Sequence, residues 1–281
     1  MSNVDLEQPF TNKDIAMRPA IVIIAFLPFA YYAAKDTQFH FVGRQVSLAE
    51  HVLHLAIGIC LGIVLTQAVL GHSGFMLVGL LLLVICGSAD EYLWHRGIPE
   101  VESDLHAKEH LALLIFVVST LTVNWLEDHQ WQLPRELLDT FAFAKDNESV
   151  GGAISGQTGV SEHRWLRGGL ISACLLPYAY FGLNDNLHHV RHREVSWTER
   201  ILHLTIVLAV FTVVPNAIVG HRSMMMVGLL LFLIARSFDE WGFHRNLPGN
   251  EADMHAKTHY AFLVFVVLLT SIDWITHQTG A

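Results

Sequence analysis

Residues 71–110 read GHSGFMLVGLLLLVICGSADEYLWHRGIPEVESDLHAKEH, and residues 220–259 read GHRSMMMVGLLLFLIARSFDEWGFHRNLPGNEADMHAKTH. An offset of 149 aligns the two without a gap, and about half of the positions are identical. Upstream, residues 36–54 (DTQFHFVGRQVSLAEHVLH) align at the same offset with residues 185–203 (DNLHHVRHREVSWTERILH). Self-similarity at a fixed offset is the signature of a duplicated structural unit. The chain therefore reads as two tandem copies of one unit.

Each copy contains four apolar runs of roughly 18–25 residues, the length that crosses a bilayer core as a helix. The runs fall near 18–40, 47–70, 73–96 and 104–127, and again near 166–189, 196–219, 222–245 and 253–276. Composition agrees: 52% of the 281 residues are hydrophobic and 15% are charged, against about 25% charged in soluble domains. Only helices and closed barrels pair all their backbone polar groups inside lipid, and these runs are too long for barrel strands. The expected fold is all-α and integral to a membrane, multi-pass, with eight transmembrane helices arranged as two four-helix bundles. Four crossings per unit give both units one orientation, a parallel repeat.

The expected organisation is an N-terminal tail over 1–17, a first four-helix unit over 18–127, a linker over 128–165 and a second unit over 166–281. The tail has no basic-then-apolar signal form, so the first helix serves as the anchor. The linker is Gly/Ser-rich over 149–160 and flexible by composition, with a short interfacial helix over 136–145. Gly71 and Gly220 mark one turn of each unit. Pro99 and Pro248 mark another, and Asp104 and Asp253 are candidate N-caps for the fourth helix. Trp125 and Trp274 read as belt residues at the membrane interface.

Net charge of −9 argues against a nucleic-acid partner. Three cysteines, all inside apolar runs with no CxxC pair, support neither a disulfide framework nor a thiolate site. The 18 histidines carry the chemistry. Asp36/His40, Glu50/His54, Glu91/His95 and His106/His110 are i, i+4 pairs, which share one face of a helix. They sit at helix ends that an antiparallel bundle brings to one side of the membrane. The second copy repeats them as Asp185/His189, Glu199/His203, Glu240/His244 and His255/His259.

Intramembrane ionisable residues are costly and signal function. The expected ligands are His40, Glu50, His54, Glu91, His95, His106 and His110, with His189, Glu199, His203, Glu240, His244, His255 and His259. Asp36, Asp90, Asp104, Asp185, Asp239 and Asp253 are further candidates, as ligands or as residues that orient them. Asp90 ranks below Glu91 because only Glu91 has the i, i+4 spacing to His95. Glu102 is a candidate hydrogen-bond partner of a ligand imidazole. Arg96, Lys108, Arg245 and Lys257 balance the carboxylates or snorkel to headgroups. His72 and His221 repeat at the opposite end and read as turn residues. Tyr31 and Tyr180 read as interfacial.

So many ligands exceed the need of one tetrahedral zinc. They suit two metal ions per repeat, with iron favoured and manganese or zinc possible by ligand type. The ligand logic resembles that of hemerythrins and ferritin-like di-iron proteins, which hold a dinuclear site inside a four-helix bundle. The spacing departs from theirs: Glu-x-x-x-His here, against Glu-x-x-His in the ferritin-like sites and His-x-x-x-Glu in hemerythrins. His106/His110 and His255/His259 resemble the HxxxH boxes of membrane desaturases and hydroxylases, but the likeness stops there and assigns no family.

The expected function is a non-haem di-iron oxidoreductase acting on O₂ or a small redox molecule. The sequence has no flavin, haem-attachment or iron–sulfur motif, so electrons would come from a partner. The competing expectations are transport or storage of divalent metal, bis-histidine haem electron transfer, and a structural zinc site.

Overall fold

A computed structural model describes residues 12–42, 46–95, 98–131, 161–192, 195–244 and 247–278. These form eight helices: α1 (Asn12–Val42), α2 (Leu48–Leu70), α3 (Ser73–Ala89), α4 (Glu100–Asp128), α5 (Ser161–His192), α6 (Trp197–Val219), α7 (Arg222–Gly242) and α8 (Gly249–Gln278). A single π-helical turn, Asp90–Trp94, continues α3. The described residues contain no strand.

Seven of the eight helices are long and apolar enough to cross a membrane. The exception is α7, where eight crossings were expected. Arg222, Arg236, Asp239 and Glu240 make it too charged. Its sequence partner α3 carries Gly87 at the position of Arg236 and, with the π turn that continues it, is long and apolar enough over Ser73–Trp94.

Local sequence explains where α2 and α6 begin and end. Ser47 Oγ accepts from the Glu50 N–H at 3.2 Å, and Ser196 Oγ accepts from the Glu199 N–H at 3.2 Å. A serine N-cap satisfies one of the orphan donors of the first turn. It also fixes Glu50 and Glu199 at the very start of their helices. At the far ends Gly71 and Gly220 take φ of 80° and 83°, the left-handed conformation that closes a helix and that glycine adopts without steric cost.

The helices pack chiefly as α2 on α3, α6 on α7, α1 on α4 and α5 on α8, and α4 packs along α8 to join the two halves. Backbones approach closely at Gly79, where an added Cβ would lie 2.9 Å from Val64, and at Gly228, where it would lie 2.8 Å from Val213. Small residues permit such approaches in lipid, where apolar burial does not drive association. The buried core runs along α4 and α8, through Leu111, Leu114, Phe116, Phe262, Phe265 and Val266. The outer helices instead expose large apolar side chains, among them Ile24, Leu55, Phe211 and Trp165. Such a surface fits a lipid environment, where it needs no water-facing polarity.

Several expectations change. The fourth-helix caps do not form at Asp104 and Asp253. Helix α4 starts at Glu100 behind Pro99 and α8 at Gly249 behind Pro248, because proline is pre-set for a helix start but not for its interior. Trp125 is buried, not at a belt, whereas Trp274 is exposed and packs over Gly74. Helix α1 begins within the expected tail and α5 within the expected linker. The Gly/Ser-rich segment, the 136–145 helix, Arg96 and Arg245 lie outside the described residues.

Candidate metal centres

Four chain segments bring ligand-type side chains to the first centre. Helix α1 supplies Asp36 and His40, and α2 supplies Glu50 and His54. The π turn and the residue after it supply Asp90, Glu91 and His95. Helix α4 supplies Glu102, His106 and His110. All except His54 are buried.

Their polar atoms meet. His40 Nε2 lies 2.9 Å from Glu102 Oε1 and 3.6 Å from Asp36 Oδ2. His106 Nε2 lies 3.4 Å from Asp36 Oδ1, and His54 Nε2 lies 3.2 Å from Asp90 Oδ1. His95 Nε2 stands 3.8 Å from Glu50 Oε1, and His110 Nε2 stands 3.8 Å from Glu91 Oε2.

The second centre repeats this with Asp185, His189, Glu199, His203, Asp239, Glu240, His244, Glu251, His255 and His259. His189 Nε2 is 3.1 Å from Glu251 Oε1, and His203 Nε2 is 3.3 Å from Asp239 Oδ1. His255 Nε2 is 3.0 Å from Glu240 Oε2. Two ring nitrogens, His189 Nε2 and His244 Nε2, face each other at 3.1 Å.

These separations suit a metal. Two donors each about 2.1 Å from one ion stand roughly 3–4 Å apart. Buried polar atoms normally hydrogen-bond. Here Asp36 Oδ1, Glu91 Oε2, both ring nitrogens of His95 and His106 Nε2 are buried and make no hydrogen bond. In the second centre the same holds for Asp185 Oδ1, Asp239 Oδ1, Glu240 Oε2, His244 Nδ1 and His255 Nε2. Ligand-sized groups form around them: His40, His95, Glu102 and His106; Glu50, His54 and His95; Glu91, His106 and His110. In the second half they include Glu199, His203, Asp239 and His244, and Glu240, His255 and His259. The first-half groups share His95 and His106, so neighbouring positions abut.

The π turn alters the expected ranking of Asp90. It adds a residue to the turn, and the His95 N–H reaches Asp90 O at 3.1 Å. Asp90 Oδ2 is then 3.5 Å from His95 Nδ1, closer than Glu91 Oε2 at 3.9 Å. Asp239 is likewise 3.5 Å from His244. Both aspartates belong with the ligand-type atoms. π turns inside α-helices recur at functional sites for this reason: they re-aim side chains.

Glu102 and Glu251 also sit in the centres, though only a supporting role was expected of Glu102. The signal was present, since Glu102/His106 and Glu251/His255 are themselves i, i+4 pairs. By contrast, Asp104 and Asp253 pair with Lys108 and Lys257 one turn on. Tyr31 and Tyr180 are more than half exposed, and His72 bonds Gln67 at the opposite end of α2.

The two halves hold each other's histidines. His110 Nδ1 donates to Ala256 O at 3.1 Å, and His259 Nδ1 donates to Ala107 O at 2.9 Å. A ligand imidazole is oriented in this way by a bond from its other nitrogen. Tyr260 of α8 crosses to the first centre, with its ring 4.9 Å from His110 and its hydroxyl donating to Val84 O at 2.7 Å.

Electrostatics differ at the two imidazoles just beyond the spanning helices. Burial alone would lower His95, but the Glu91 and Asp90 carboxylates outweigh it and raise it. Burial, then the charge of His255, holds His244 far below the ordinary imidazole range, with Arg236 acting in the same direction.

A cavity of about 480 Å³ adjoins the first centre. Asp36, His54, Asp90, His106 and Glu109 line its polar end, and Phe29, Leu83, Leu113 and Leu263 belong to its apolar wall. Glu109 was not singled out by spacing, because its counterpart in the second half is Thr258. Comparison with known proteins returns no matching family model, no matching curated protein and no matching solved structure.

Proposed function

We propose that the protein is a membrane-embedded dinuclear metal oxidoreductase, built as two tandem four-helix units that each carry a His/carboxylate centre. The first centre takes a pair of ions, iron by preference, and acts on O₂ or a small redox molecule with electrons from a partner. The observation that carries this reading is the set of buried, hydrogen-bond-free donor atoms in abutting groups, at separations that ions would bridge. Iron is preferred because the groups named above offer mixed imidazole and carboxylate donors, which suit it, and no thiolate.

Bound there, such ions supply one-electron redox capacity. The chain's own residues do the rest. His40, His95, Glu102 and His106, with Glu50 and His54 beside His95, would hold one position, and Glu91, His106 and His110 would hold its neighbour. The apolar wall of the cavity excludes water and accepts an apolar or small molecule. Glu109, at the polar end, provides a carboxyl able to hold a proton beside the ligands.

Elemental analysis of the purified protein in detergent is the test, with Glu91→Ala alongside. Iron should be present with two ions in the first centre, Glu91→Ala should take metal from that centre alone, and O₂ should change the absorption spectrum of the reduced protein. A Soret band would replace this reading with haem. Metal uptake into liposomes without any O₂-dependent spectral change would replace it with transport.

A further inference from the structure

The two halves differ where their centres need charge. At the shared offset, Gly87 of the first half corresponds to Arg236 of the second, and Glu109 corresponds to Thr258. Together these exchanges give the second centre one fixed positive charge and take from it one carboxyl group.

Arg236 is buried inside the second centre. Its Nε donates to His259 Nε2 at 2.8 Å, and its Nη1 donates to Asp239 Oδ2 at 2.7 Å. Its Nη2 lies 3.2 Å from His255 Nδ1 and 3.5 Å from Asp185 Oδ2. A guanidinium is always charged, so it donates and never ligates. The His259 lone pair is therefore spent on Arg236. In the first centre the corresponding atom, His110 Nε2, has the same carboxylate neighbour, Glu91 at 3.8 Å against Glu240 at 3.9 Å from His259, but Gly87 stands where the arginine would take its lone pair. There Gly87 leaves room that Tyr260 fills from the other half: a Cβ at Gly87 would stand 2.7 Å from the Tyr260 hydroxyl. Tyr260 corresponds to Leu111, so nothing equivalent is supplied to the second centre.

We propose that Arg236 is a built-in cation that replaces one metal ion of the second centre, leaving a one-metal site at Glu199, His203, Asp239 and His244 beside a two-metal first centre. The chain then binds three ions, not four. The first centre, with its adjoining cavity, is the working one, and the second is a closed, mononuclear site for a divalent cation. This rests on the metal-binding reading above.

The test is metal content by elemental analysis of full-length protein saturated with Fe(II) under anaerobic conditions. The background is Glu91→Ala with His95→Ala, which takes a ligand from each of the three first-half groups. One equivalent should remain, and adding Arg236→Gly with Thr258→Glu should raise it to two. Two equivalents before the exchange, or no change after it, would overturn the proposal while leaving metal binding intact. No metal in the background or in the unmodified protein would overturn it as well, and the unmodified case would sink the metal reading too. If the exchanged protein does not fold, the reverse exchange serves. Gly87→Arg with Tyr260→Leu, in a Glu240→Ala, His244→Ala background, should reduce the first centre from two equivalents to one, and retention of two would overturn the proposal.

Discussion

Glu102 has no exposed surface, and its carboxylate accepts from or faces His40 at 2.9 Å while belonging to the same group as His95 and His106. Replacing it by Ala should cost the first centre as much metal affinity as replacing an imidazole does. If the carboxylate merely orients His40, the loss should be about 10–100-fold; as a direct ligand it should exceed that. Competitive chelator titration of Glu102→Ala distinguishes the two, and an affinity within twofold of the unmodified protein would remove Glu102 from the centre. The residue-level pattern was largely open to reading from sequence. Paired i, i+4 positions found His40, Glu50, His54, Glu91, His95, His106 and His110, and the structure brings all of them together. The approach of Asp90 to His95 leaves no mark in the sequence, because periodicity assumes a regular helix and the π turn adds one residue. Arg236 and Glu109 go unseen for another reason. Looking for what two copies share hides the positions where they differ.

At the scale of elements, the π turn is itself testable. Deleting the exposed Leu93 would let Asp90–Trp94 close as an ordinary α-helical turn, rotating Asp90 away from His54 and His95 by about 100°. Helix content by circular dichroism should stay the same while the first centre loses metal. Metal retention would show that the wide turn is incidental. The helix pairs make a second prediction. A Cβ at Gly228 would meet Val213 N at 3.0 Å and Ala209 O at 3.1 Å, both backbone atoms that cannot move aside. Gly228→Ala should therefore separate α6 from α7 and destabilise the protein by about 1–3 kcal/mol, read as a lowered unfolding midpoint in detergent. Gly62→Ala is the control, since a Cβ there meets nothing within 4 Å. Helix existence and the Gly71 and Gly220 stops were legible because length, hydropathy and glycine act locally. The starts of α4 and α8 were misplaced because Asp104 and Asp253 fit an N-cap by type, while Pro99 and Pro248 fix the start one turn earlier.

For the whole molecule, the two halves touch beside their candidate centres. Ala256 orients His110, Ala107 orients His259, and Tyr260 reaches Val84 beside the first centre. Such contacts between residues well over a hundred positions apart leave no periodic trace, so the sequence could not announce them. They imply that metal should stabilise the fold as one body. Without ions, the buried carboxylates and imidazoles keep their desolvation cost and lose their partners. With ions bound to the folded state alone, stability rises with free metal, by about 2.7 kcal/mol at a hundredfold excess over Kd. Thermal unfolding in detergent should therefore shift to lower temperature on chelation and recover on adding Fe(II). Because α4 and α8 pack along each other, taking metal from the first centre by Glu91→Ala should lower the midpoint of the α5–α8 half together with that of the α1–α4 half. Hydrogen exchange resolved by segment reads this directly. Faster exchange confined to α1–α4, with α8 unchanged, would show that the halves are independent and that the crossed histidine contacts carry no coupling.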